Sequence, residues 1–399
     1  MSAFPMHGLA QHYAWGGRRF IPGMLGLDNA GQQHFAEWWL GAHEEAPSVI
    51  ATPQGPQPLH YAIAHQPLAF LGEAVIRRHG PRLPFLMKVL DVDAPLSIQA
   101  HPDEAQAREG FARDNAAGLA LGDPRRNYRD PYPKPEMMVA LSPFWLLHGL
   151  RPDAQIDGLL ARQPEWQPLR ERLAREGGAG LHRHLLRLPQ EEIAALLRPL
   201  WRRLAADGDA GPDDPDHWAR RLVGIRTEDR GVFGCYLLNL VGLRPGEAIF
   251  QPARLPHAYL HGRNIELMAN SDNVLRAGLT DKPVDVEALL AVMDDVPVSP
   301  VVMAAPDGCG LRAYPRCGGD YFALDQLLLG EGEGEGAAWR SAGPEVLLVV
   351  DGSLSLRHAA GELALEQGQS ALLQPGLACE ARAGRLALAY RAFCPLAGG

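Results

Sequence analysis

Cysteine is scarce in this 399-residue chain: Cys235, Cys309, Cys317, Cys379 and Cys394 are all there is. An odd number without CxxC spacing argues against a secreted disulfide scaffold and against a thiolate metal site. Reduced thiols in a cytoplasm are expected. Long apolar runs are also missing. No stretch approaches the ~18 residues that a membrane-crossing helix needs. Residues 1–17 lack a charged segment followed by an apolar one, so no signal peptide is expected. Positive charge is in deficit, with 38 Lys and Arg against 47 Asp and Glu and a net charge of −9. Nucleic acid is therefore a poor partner, since a polyanion needs a broad basic face. A small anion needs only a few local cations.

What is present is a globular composition, 46% hydrophobic and 21% charged. At about 100–200 residues per domain, the length suggests two or three domains. Residues 1–150 carry short apolar runs, such as Phe85–Leu90 and Met137–Leu141, broken by Gly and Pro. They read as short strands of a sandwich or barrel. Residues 151–230 change period. Ile156, Leu159 and Leu160 share helical spacing, as do Ile193, Leu196, Leu197, Leu200 and Trp201. Pro189 with Glu191 and Glu192 suits a helix start, and His217–Ile225 suits one more helix. This block reads as a helical insertion. Strands return at Val232–Val241 and Ala248–Phe250, a helix at Asp285–Met293, and strands again from 301, with Val346–Val350 the clearest. The Gly/Glu run from Gly330 to Gly336 reads as a polar turn or mobile loop.

A short repeat recurs. Leu243-Arg-Pro-Gly246 leads through an apolar run to Gln251-Pro252, and Leu365-Glu-Gln-Gly368 leads to Gln374-Pro375. Two related barrels account for it, and so does chance in short apolar strings. Only the first copy continues into a histidine, His257.

Three segments offer metal ligands. Side chains two apart on a strand share a face. Ser97, Gln99 and His101 then align, as do Lys134 with Glu136 and His257 with Tyr259. One carboxylate and two imidazoles suit zinc, with Gln99 or water completing the shell. The same set suits iron(II) in an oxygenase. A lone strand histidine is more often a satisfied polar residue, and the remaining histidines, His43 among them, read as surface, cap or packing residues.

These segments resemble the type I mannose-6-phosphate isomerase family over most of residues 1–300. The likeness rests on Tyr13-Ala-Trp-Gly-Gly17, Glu37-Trp-Trp-Leu-Gly-Ala-His43, Leu83–Leu90, Pro95–Pro102, Lys134-Pro-Glu136, Pro256-His-Ala-Tyr259 and Glu266–Thr280. It implies a mainly β, cupin (jelly-roll) fold with a catalytic barrel from 1–150 and 231–300. It implies a helical insertion at 151–230 and a metal-free cupin-like domain at 301–399. It further implies zinc on Gln99, His101, Glu136 and His257, with Ser97, Lys134, Tyr259, Glu266, Asp272 and Arg276 around a sugar phosphate. The expected activity is interconversion of mannose 6-phosphate and fructose 6-phosphate through an enediol in the cytoplasm. Arg276 is expected to offset anionic charge, Lys134 or Glu266 to move a proton, and Tyr259, Ser97 and Asp272 to bind substrate oxygens. The oligomeric state is left open, and a monomer suffices. Two departures stand out. Pro133 replaces a histidine common before the Lys-Pro-Glu motif, so the proton-transferring base is expected elsewhere, and Glu44 replaces a common proline. A sugar-binding protein without turnover and an isomerase of another sugar are the rival expectations.

Overall fold

The computed structural model describes residues 1–330 and 336–396. The centre of the expected Gly/Glu turn, 331–335, lies outside the described residues. The chain is mainly β with helices inserted, as expected of a cupin scaffold. One ten-stranded network carries the predicted site residues, and sheets of eight and four strands make a second β unit.

The strand Phe85–Val92 organises the first unit. All eight of its residues are buried, and it pairs with Glu37–Gly41 on one side and His257–Ala269 on the other. An almost continuous apolar run is the mark of a strand covered on both faces. Phe85, Met87 and Val89 pack with Val346, Leu348, Leu372 and Tyr390 of the second unit. Lys88 and Leu90 point the other way, toward the interior that holds the site. The strand His257–Ala269 bends through both halves of this interior. Its start pairs with Gln99 and His148, its end with 85–92 and 136–140. Gly262 permits the bend at φ +125°, where an added Cβ would meet the Pro143 carbonyl oxygen at 2.6 Å.

The helices of the insertion are amphipathic. Gln190–Ala206 has Glu191 and Glu192 in its first turn and buries Ile193, Leu197, Leu200 and Leu204 along one stripe. Asp285 caps the helix Val286–Val292 by accepting from the Ala288 amide. Two expectations need correction. Val232–Val241 is not one strand: Arg230–Phe233 is a 3-10 turn, Gly234–Leu237 a helical turn, and the strand is Leu238–Leu243. A short apolar run buried on every side carries no period that separates strand from helix. Residues 1–150 also contain helices, at Leu59–His65, Pro67–His79 and Glu104–Ala116. The last begins with a reciprocal capping box of Asp103 and Gln106, a pattern visible in the sequence.

The repeat is structural. In both copies a strand, a turn and a second strand follow, and the two strands pair with different neighbours rather than with each other. Gly246 and Gly368 hold matching left-handed turns at φ +86° and +79°. The first strand of the chain crosses between the units. Ala3–His7 lies between Ser370–Leu373 and Val49–Thr52, with Ala3 opposite Leu373 and Met6 opposite Ile50.

Where the first unit carries its histidines, the second carries a buried ion cluster. Arg391 bridges Asp325 at 2.5 Å and Glu345 at 3.4 Å, and Trp339 donates to Glu345. Arg391→Leu leaves the buried Glu345 without a cation, while Asp325 keeps Arg316 at 2.8 Å, a loss on the order of 3 kcal/mol. The expected result is a clear fall in melting temperature, with unchanged kcat/KM per folded molecule at 25 °C.

Candidate metal centre

His101 and His257 flank Glu136 inside the first unit, and all three are essentially inaccessible to solvent. His101 Nε2 lies 3.3 Å from one carboxylate oxygen of Glu136, and His257 Nε2 lies 3.1 Å from the other. Each ring is oriented from behind. His101 Nδ1 faces the Asn273 carbonyl at 2.8 Å, and His257 Nδ1 faces the Leu255 carbonyl at 2.9 Å. A carbonyl only accepts, so each Nδ1 carries the proton and each Nε2 presents a lone pair to the centre. His101 Nε2 is buried with no hydrogen-bond partner among the described residues. Two neutral imidazole nitrogens and one carboxylate within 4.8 Å of one another form a donor set that fits zinc.

The protonation states agree. Burial pushes the His101 imidazole down to about 4, so it stays a neutral donor. Burial alone would push the Glu136 carboxyl up. The Lys134 ammonium at 3.1 Å outweighs it and holds Glu136 well below the usual range. Gln99 sits directly across the strands from His257 on one side and from Arg276 on the other. Side chains so placed have Cβ atoms about 4.5–5.5 Å apart.

A cavity of about 780 Å³ opens over this centre. Ser97, Gln99, Lys134, Glu136, Tyr259, Glu266, Asp272 and Arg276 all line it, so every predicted site residue lies at the three-residue cluster or on the wall above it. Lys134 precedes the strand Glu136–Ala140 instead of lying in it. Tyr259 is buried, and its hydroxyl has no partner among the described residues. Burial and the Glu266 carboxylate push its phenol well up, so it remains a hydrogen-bond donor.

Sequence reasoning missed four residues here. Lys88 pairs with Glu37 at 3.4 Å and Glu266 at 3.2 Å, beneath the face of Trp39. Burial pushes its ammonium down, but the carboxylates of Glu37 and Glu266 outweigh that and keep it charged. Burial pushes the Glu266 carboxyl up, with Lys88 pulling against it. A lysine inside the apolar run Phe85–Leu90 was the available signal, because a buried lysine needs partners. Arg129 and Lys282 join Arg276 on the cavity wall, and no carboxylate pairs with any of the three among the described residues. Burial, then Arg129, pushes the Arg276 guanidinium down, and Lys282 is pushed down by burial and both arginines. Arg129 and Lys282 lie in loops, which periodicity does not read. His43, expected as a surface, cap or packing residue, is buried and bonded to Asp272.

Comparison with known proteins agrees with this geometry. Residues 3–153 match the profile described as "Phosphomannose isomerase type I, catalytic domain". The chain is 38% identical over 379 residues to the mannose-6-phosphate isomerase of Salmonella typhimurium, covering 91% of this chain and 92% of that one. It is 33% identical over 322 residues to the Homo sapiens mannose-6-phosphate isomerase, covering 74% of each. Among solved structures, a mutant phosphomannose isomerase from Salmonella typhimurium superposes with a TM-score of 0.91 at 34% identity, covering 99% of this chain and 100% of that one. A zinc-bound mannose 6-phosphate isomerase superposes at 0.89, also at 34% identity, with the same coverage.

Proposed function

The chain belongs to the type I phosphomannose isomerase family, and from that membership we propose that it interconverts mannose 6-phosphate and fructose 6-phosphate at a zinc ion. The carrying observation is the pair of bare imidazole nitrogens facing Glu136 under a cavity that holds three uncompensated cations. His101, Glu136 and His257 would hold the ion, with Gln99 adding an amide oxygen from the adjoining strand. Zinc, when bound, polarises a substrate oxygen and makes the neighbouring C–H more acidic.

The remaining chemistry falls to side chains. The reaction moves a proton between C2 and C1, and charge develops on the flanking oxygens. Arg276, with Arg129 and Lys282, takes the phosphate, whose charge relieves three cations crowded in a half-buried wall. Lys134 and Glu266 are the groups we assign to proton transfer. Burial biases Glu266 toward holding a proton, and Lys88 fixes its position. Pro133 supplies no base, which leaves the task to these two. Tyr259 donates to a sugar oxygen, and Ser97 and Asp272 bind hydroxyls. The cations favour a phosphorylated substrate over a free sugar. Among the described residues no helix is long and apolar enough to cross a membrane, and five free cysteines support a reducing cytoplasm.

Assays that follow fructose 6-phosphate formed from mannose 6-phosphate, and fructose formed from free mannose, test the proposal. Mannose 6-phosphate should turn over in the zinc-loaded protein and free mannose should not. Tight binding without turnover would leave only a sugar-phosphate binder.

A further inference from the structure

His43 is a buried histidine that the proposed chemistry leaves unused, and it is paired with Asp272. His43 ends the Glu-Trp-Trp-Leu-Gly-Ala-His segment, just past the strand Glu37–Gly41. Its ring is 7% exposed and meets the edge of Trp39 at a centroid distance of 4.8 Å and 72°. The Glu45 amide donates to Nδ1 at 3.2 Å, so Nδ1 is bare and the proton sits on Nε2. Nε2 then donates to both oxygens of Asp272, at 3.1 and 3.2 Å. Asp272 is held a second way, since its own amide donates to Asp130 at 2.7 Å. Its carboxylate is 40% exposed and lines the cavity. A buried imidazole thus backs a carboxylate that faces the substrate space. It fixes one side of that carboxylate and leaves lone pairs on the other.

We propose that His43 is a positioning residue that locks the Asp272 carboxylate in one orientation, so that Asp272 accepts a hydrogen bond from a hydroxyl of the phosphorylated sugar. This rests on the isomerase function proposed above. Two other features explain why the task needs an imidazole. Asp272 follows Ser271 and precedes Asn273, both tied to Asp130, so the backbone is already fixed and only the side chain remains free to turn. The cations Lys134 and Lys88 attract Asp272 from the cavity side. Without a donor behind it, the carboxylate would swing toward them and away from the sugar.

Kinetics on zinc-loaded His43→Ala and His43→Gln test this. In His43→Ala, KM for mannose 6-phosphate should rise about tenfold, which is one lost interaction of ~1.4 kcal/mol, with kcat within about threefold. The acid limb of kcat/KM should also move. Burial raises the Asp272 carboxyl, while His43, Lys134 and Lys88 lower it, and Asp130 faces its amide. Removing one donor to the charged form raises its pKa, so activity should fail at a higher pH on acidification. His43→Gln, which keeps a donor on a comparable reach, should recover most of the KM. Unchanged KM and acid limb in His43→Ala would overturn the inference. So would equal loss of zinc and melting temperature in both variants, since that is a merely structural role. An NMR titration of the Asp272 carboxyl, identified by its disappearance in Asp272→Asn, separates the two proposals. If the wild type fails to turn over mannose 6-phosphate, the functional proposal falls. The titration still decides whether His43 holds Asp272: an upward shift in His43→Ala supports it, and no shift overturns it.

Discussion

Arg276→Ala is expected to lower kcat/KM for mannose 6-phosphate by about 10²–10³-fold, the effect of deleting one preorganised donor to developing or fixed anionic charge. The structure explains why the loss should be large. Arg276 is crowded by Arg129 and Lys282 and has no carboxylate partner among the described residues, so its charge is uncompensated until an anion arrives. It also stands directly across the strand from Gln99, beside the proposed metal shell. The phosphate end of the substrate and the reacting carbons are therefore held by adjacent positions of one sheet. Lys in place of Arg should recover little, because a point charge cannot reproduce a planar two-pronged contact. Zinc content should stay at wild-type level, because Arg276 is not among the three buried ligands. Melting temperature should hold or rise, since one member of a repelling cluster is gone. Near-normal turnover in Arg276→Ala would remove this residue from the mechanism.

Chelation should remove activity by about 10³-fold or more, the several kcal/mol that a Lewis acid contributes, and added zinc should restore it. The protein should survive the treatment folded. Without metal, Glu136 still has the Lys134 ammonium at 3.1 Å, so its buried charge keeps a counterion. Zinc should nevertheless raise the melting temperature, by an amount corresponding to about 4 kcal/mol at a thousandfold excess over Kd. Metal analysis of the protein as purified separates an isomerase from an oxygenase with the same two-histidine, one-carboxylate set. Iron with oxygen consumption would sink the isomerase assignment. Full turnover in metal-free protein would sink the zinc centre.

The residues that were legible in the sequence share a cause. Gln99 and His101, Lys134 and Glu136, and His257 and Tyr259 are spaced by two on or beside strands, and strand alternation alone puts each pair on one face. What alternation cannot supply is which strands become neighbours. Nothing in residues 37 and 88 announces that they will meet Glu266, because pairing of Phe85–Val92 with both Glu37–Gly41 and His257–Ala269 is a tertiary fact. The apolar flanks of Lys88 signalled that it needed partners but not which ones. His43 was set aside because a single histidine after a strand has no periodicity to betray a partner 229 positions away. The helix Glu104–Ala116 is a different case, since its Asp103 and Gln106 cap was readable. The turns at 230–237 were not, because residues buried on all sides lose the contrast between faces.

The strand Ala3–His7 has a consequence for how the protein is made. Met6 and its partner Ser370 stand 364 positions apart, so this pairing must await synthesis of all the chain between them. Its edge toward Val49–Thr52 can pair early, but its other edge must wait for Ser370–Leu373, and the eight-stranded sheet closes only then. Closure over so long a separation is slow and leaves an edge open to other chains meanwhile. Deleting either Ala3–His7 or Ser370–Leu373 should thus harm the same sheet, and a split of the gene between them into two separately expressed parts should yield neither part in native form.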